Sequence, residues 1–143
     1  MPTRAELSEA EDGHTELMRA ALEGDTRSVQ KLLAGGADVN AKDGEGRTAL
    51  MFAVTNLHSD TARELLEHGA DVNATANDGG TALMLAASAG DTESVRALLS
   101  RRADRSGRYI KTGETALMLA MEKNHADIIE LLSGDRSQTV GKA

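Results

Sequence analysis

Apolar and polar positions along this chain follow a pattern that returns every 33 or 34 residues. The string Thr-Ala-Leu-Met begins at Thr48, Thr81 and Thr115, and a variant, Thr15-Glu16-Leu17-Met18, precedes them. Counted from each Thr, Leu stands two places on (Leu17, Leu50, Leu83, Leu117) and Ala five places on (Ala20, Ala53, Ala86, Ala120). Apolar residues three apart predict a short helix with one buried side directly after each Thr. The Thr hydroxyl suits the N-cap, where it accepts from an unpaired backbone N–H of the first turn. Gly24 and Gly90 end that helix, and Asp25 and Asp91 cap a second one. The second helix carries a stripe: Val29, Leu32 and Leu33 in the first copy, Val95, Leu98 and Leu99 in the third. Gly36 and Gly69 stop it where left-handed backbone favours Gly. Ala37-Asp38-Val39-Asn40 follows, repeated as Ala70-Asp71-Val72-Asn73, and a polar turn (Lys42 to Gly46) leads to the next Thr.

A unit of this length cannot bury its own apolar side and must stack on neighbours. Helix, tight turn, helix, the Gly-Ala-Asp-Val-Asn string and a polar hairpin together resemble the ankyrin repeat over residues 10–134. The resemblance implies an all-α solenoid of stacked helix-turn-helix units joined by hairpin loops. The copies are bounded at about 10–42, 43–75, 76–109 and 110–134. Residues 1–9 form an acidic lead-in, and 135–143 read as a flexible tail. The family pattern Thr-Pro-Leu-His is altered: Ala or Glu replaces Pro, and Met replaces His. Met18, Met51, Met84 and Met118 are therefore expected to fill the space between repeats as adaptable apolar bulk. In the family, Asn40 and Asn73 would bridge adjacent turns, and His58 and His125 would make helix-start hydrogen bonds. Arg19 stands where later copies have Phe52, Leu85 and Leu119, and Gln30 and Lys31 follow on the second helix. Glu122, Lys123, Asn124 and Ser133 are polar in the last copy. These substitutions predict capped ends and a complete stack of four.

Composition narrows the function. With one Phe, one Tyr and no Trp, the core must be built from Leu, Ala, Met and Val. A net charge of −7 disfavours nonspecific binding to nucleic acid or anionic membrane. The absence of Cys excludes disulfides, a zinc ribbon and a thiol nucleophile. No apolar h-region opens the chain, and no run approaches the ~18 residues of a membrane span. A cytoplasmic monomer is expected. His14, His58, His68 and His125 are scattered, without metal-ligand spacing. The Asp43–Thr48 loop lacks the G-x-x-x-x-G-K-[ST] spacing of a phosphate loop, and Lys42 occupies a ligand position in what would otherwise open a calcium loop. No nucleophile-base grouping emerges. The expectation is a non-enzyme with no cofactor and no metal.

The resemblance also implies where a partner protein would bind: a concave surface of hairpin tips and first-helix ends. The tips map to Glu11, Asp12 and His14; Gly44, Glu45 and Arg47; Asn77, Asp78 and Gly80; Lys111, Thr112 and Glu114. The helix ends map to Leu22 and Glu23, Thr55 and Asn56, Ser88 and Ala89, Glu122 and Lys123. The junction between copies three and four departs from pattern. Arg102 replaces the terminating Gly, Arg105 the packing Val and Ser106 the bridging Asn. With Arg101, Arg108 and Lys111 this gives five basic residues in eleven positions, beside the only Tyr, Tyr109. Two readings stand: relaxed drift in a late repeat, or a recognition patch for an acidic surface, since Arg and Tyr are favoured interface anchors. The candidate contact residues are Glu45, Arg47, Asn77, Asp78, Arg101, Arg105, Arg108, Tyr109 and Lys111. The function expected is non-catalytic protein binding. The alternatives are an inhibitory or regulatory subunit of a partner enzyme and a nucleic-acid binder using the Arg cluster.

Overall fold

A computed structural model describes the backbone of residues 13–141 and the side chains of residues 13–134. The lead-in at 1–9 and the tip residues Glu11 and Asp12 lie outside the described residues. Those described form four helix pairs: α1 (Glu16–Glu23) and α2 (Thr26–Ala34), α3 (Ala49–Thr55) and α4 (Ser59–Glu67), α5 (Ala82–Ala89) and α6 (Thr92–Ser100), α7 (Ala116–Glu122) and α8 (Ala126–Gly141). Each first helix starts where the Thr predicts. The Oγ1 atoms of Thr15, Thr48, Thr81 and Thr115 accept from the backbone N–H of Met18, Met51, Met84 and Met118. Asp25 and Asp91 cap α2 and α6 through the N–H and hydroxyl of Ser28 and Ser94.

The helices form two rows. The first helices α1, α3, α5 and α7 pack in succession, and α2, α4, α6 and α8 lie in a second row behind them. Buried Ala20, Ala53, Ala86 and Ala120 carry only a methyl group, which lets the first helices lie close. Met18, Met51 and Met84 are buried in the junctions as expected. Burying each side chain contributes about 1.5–3 kcal/mol. Met118 departs from expectation: it is 48% exposed, because among the described residues no fifth helix pair lies beyond α7 to cover it. At the opposite end, Arg19 is exposed where Phe52 and Leu119 are buried.

Backbone geometry accounts for the helix ends. Gly24 and Gly90 are left-handed as their position demands. At the same offset, Leu57 (φ 65°) and Asn124 (φ 59°) take the same conformation without being Gly, which the sequence reading did not anticipate. Arg102 does so after α6 (φ 63°), as its replacement of Gly predicts. Two further differences appear. His58 makes no cap bond to α4; its Nε2 reaches back to the Leu22 carbonyl at 3.1 Å, and His125 reaches the Ser88 carbonyl at 3.1 Å. Through these side-chain bonds both histidines tie neighbouring repeats together. Helix α8 continues through Gly134 into residues 135–141, where a flexible tail was expected, and reaches Gly141.

Candidate partner interface

The hairpins between repeats are short and internally closed. Asp43 N–H donates to Arg47 O, Ala76 N–H to Gly80 O and Tyr109 N–H to Glu114 O. The last span is one residue longer, so the extra residue of the 34-residue interval sits inside the fourth hairpin. Successive tips are joined by backbone bonds: Asn77 N–H donates to Glu45 O and Ile110 N–H to Asp78 O, both at 2.9 Å. Asn77 Nδ2 adds a bond to Gly44 O, and Lys42 Nζ one to Thr75 O. Such cross-links fix Glu45, Asn77 and Asp78 as a row, with all three side chains exposed.

Behind the tips, asparagines bridge the turns. Asn40 donates from Nδ2 to Gly69 O and accepts at Oδ1 from Asp71 N–H, and Asn73 accepts from Asp104 N–H at 2.7 Å. Ser106 stands where a third bridging Asn is expected, and its hydroxyl turns back to Asp104. Helix α8 occupies the stretch in which the next turn would lie, so no following turn faces Ser106.

One tip is organised around a buried carboxylate. Asp43 accepts from Glu45 N–H, Arg47 N–H and Arg47 Nε at 2.8–2.9 Å, with His14 Nε2 at 3.1 Å. The Arg47 guanidinium lies 4.9 Å from the centre of the Phe52 ring, and His14 meets that ring edge-on at 5.2 Å. Burial acts to raise the Asp43 pKa, but the Arg47 N–H, its guanidinium and the Glu45 N–H outweigh burial and hold it below the ordinary carboxylate value. Arg47 is thus half-buried and pinned, with Glu45 beside it at 3.7 Å.

At the divergent junction the basic residues separate by role. Arg105 donates from Nη1 to the carbonyls of Leu131 and Leu132 on α8, at 3.4 and 2.8 Å, and is half-buried. Arg108 donates to Gly113 O across its own hairpin. Tyr109 is half-buried, and a Cβ placed on Gly80 would come within 3.0 Å of its ring. Burial, then the charges of Asp78 and Glu114, push the Tyr109 hydroxyl above its ordinary value. Arg101 and Arg102, at the end of α6, and Lys111, at the fourth tip, are exposed. The departures at Arg105 and Tyr109 therefore carry internal contacts, while Arg101 and Lys111 face solvent.

Two exposed leucines were legible only in part. Leu22 falls at a helix-end position the resemblance implied, and Leu57, one place beyond Asn56, was not singled out. Its signal was a bulky residue at the offset where Gly24 and Gly90 stand.

Among the described residues no three His, Cys, Asp or Glu side chains converge to hold a metal ion. No helix there is long and apolar enough to cross a membrane. No curated protein matches the chain. A family model described as ankyrin repeats (3 copies) matches residues 17–108 and again 75–141. Ankyrin repeats are in general protein–protein interaction modules. The paired helices, cross-linked hairpins and asparagine bridges are what that match predicts, and the chain belongs to the ankyrin-repeat family.

Proposed function

We propose that this chain is a non-catalytic module, acting as a cytoplasmic monomer, that binds a partner protein through its hairpin tips and the neighbouring ends of its first helices. One observation carries the reading: the backbone bonds from Asn77 to Glu45 and from Ile110 to Asp78, which hold exposed side chains of successive tips in a fixed row. A surface already ordered loses little conformational entropy on binding. In this reading Glu45, Asn77, Asp78 and Lys111 make direct contacts, Arg47 presents the edge of its pinned guanidinium, and Arg101 adds a cation near the last junction. Arg105, Arg108 and Tyr109 support the shape of that junction through the internal contacts given above.

The test is affinity capture from the source cell with the intact chain and with a Glu45→Arg/Asn77→Ala/Asp78→Arg variant. The expected result is loss of a partner while the far-ultraviolet circular dichroism spectrum of the folded helices is kept. A partner that binds both chains with equal affinity would show that the tips are not the interface.

A further inference from the structure

Leu57 combines two features that folding alone does not favour. Its φ of 65° is in the left-handed region, which a bulky side chain rarely adopts, and its side chain is 56% exposed. The matching Gly24 and Gly90 are different in kind. A Cβ on Gly24 would sit 2.5 Å from His58 Nδ1, and one on Gly90 would sit 2.7 Å from His125 Cε1. The histidine of the next repeat therefore requires Gly at both positions. The repeat after Leu57 has Asp91 where those histidines stand, so no imidazole fills that opening. That opening permits a side chain at Leu57 but leaves the backbone strain in place. Arg102 and Asn124 hold the same backbone with polar side chains that water solvates, whereas Leu57 holds it with an exposed apolar one, and that combination points to a use for the side chain.

Leu57 has an apolar neighbour. Asn56 Nδ2 and His58 Nε2, on either side of it, both bond to the Leu22 carbonyl, at 3.2 and 3.1 Å. These bonds tie the Leu22 backbone to the two residues that flank Leu57, across the junction of the first two repeats, and Leu22 is itself 43% exposed. Both lie at first-helix ends, on elements continuous with the hairpin tips. Exposed Glu23 follows Leu22, Glu45 and Asp78 are exposed on the tips, and the chain carries a net charge of −7.

We propose that Leu22 and Leu57 form the apolar anchor of the partner site, and that the partner presents an aliphatic side chain flanked by basic residues. This rests on the reading of the tip and helix-end surface as the interface, and names the partner chemistry it selects.

The probe is the capped tripeptide acetyl-Lys-Leu-Arg-amide, with acetyl-Lys-Gly-Arg-amide as control, titrated into the isotopically labelled full chain and followed by amide chemical shifts. Saturable shifts at Leu22, Asn56, Leu57 and His58 are expected with the Leu probe, several-fold larger than with the Gly probe. In Leu57→Gly they should be lost while the melting temperature rises, since the substitution relieves strain in an exposed segment. Equal shifts from the two probes would overturn the anchor, as would Leu-probe shifts undiminished in Leu57→Gly or a melting temperature that falls. Because the tip substitutions of the capture experiment leave Leu22 and Leu57 untouched, failure of the anchor is separable from failure of the tip interface.

Discussion

The pairing of Gly24 with His58 makes a quantitative prediction. Placing Ala at Gly24 forces a residue with a Cβ into φ 72° and drives that Cβ into the His58 ring. Left-handed backbone costs about 1–2 kcal/mol for a non-Gly residue. The lower entropy of the unfolded Ala chain returns about 0.4–1 kcal/mol of that, leaving a net cost near 1 kcal/mol. Displacing His58 forfeits its bond to the Leu22 carbonyl, worth about 1 kcal/mol. Gly24→Ala should therefore destabilise by about 2 kcal/mol, and His58→Ala by about 1 kcal/mol. In the double variant the ring that collided is gone and its bond is lost only once. The total should then stay near 2 kcal/mol and not reach the additive ~3 kcal/mol, a coupling of about 1 kcal/mol. Urea unfolding followed by far-ultraviolet circular dichroism measures this without needing Trp, which the chain lacks. With slopes of about 1–3 kcal/mol per M, each kcal/mol moves the midpoint by about 0.3–1 M. Additive costs in the double variant would refute the steric pairing, and with it the reason given for Leu57 being tolerated where Asp91 follows.

Three other outcomes are expected. Because the Asp43 carboxyl titrates below its ordinary value when folded, its stabilisation is present above about pH 4 and is lost as pH falls through the folded value. Asp43→Asn should cost about 2 kcal/mol at neutral pH by removing charge-assisted bonds. It should also flatten the acid limb of the stability curve, leaving the contribution of Asp25 and Asp104, which their hydrogen bonds to Ser28 and Ser106 hold low; an unchanged acid limb by circular dichroism would contradict this. Arg102→Gly should stabilise by about 0.5–1 kcal/mol by relieving left-handed strain at an exposed position, and a lowered urea midpoint would oppose that account. Asn73→Ala should cost about 0.5–1.5 kcal/mol by removing the bond that ties its turn to the Asp104 N–H of the next, whereas Ser106→Ala should cost under ~0.5 kcal/mol, because its hydroxyl bonds only within its own turn; equal losses on thermal melting would remove the distinction.

The pattern of the chain was enough to specify the repeat: the four capping Thr, the methyl-sized Ala and the apolar stripe recur at one interval, and local capping and periodicity need no knowledge of distant contacts. It also determined that Arg102 would take left-handed backbone, since the offset demands that conformation whatever residue stands there. Tertiary structure alone decided which look-alike positions differ. Met51 and Met118 share one offset, yet one is buried and the other open, because burial depends on whether a neighbour lies beyond. Arg105 reads as a surface cation until α8 places the Leu131 and Leu132 carbonyls before it, and Gly24 reads as a simple helix stop until His58, 34 positions on, is seen to fill the space where its Cβ would be. In a stack, each residue's environment is set by the adjoining repeat, so the chain's own periodicity fixes what each unit is, and only its packing fixes what each side chain meets.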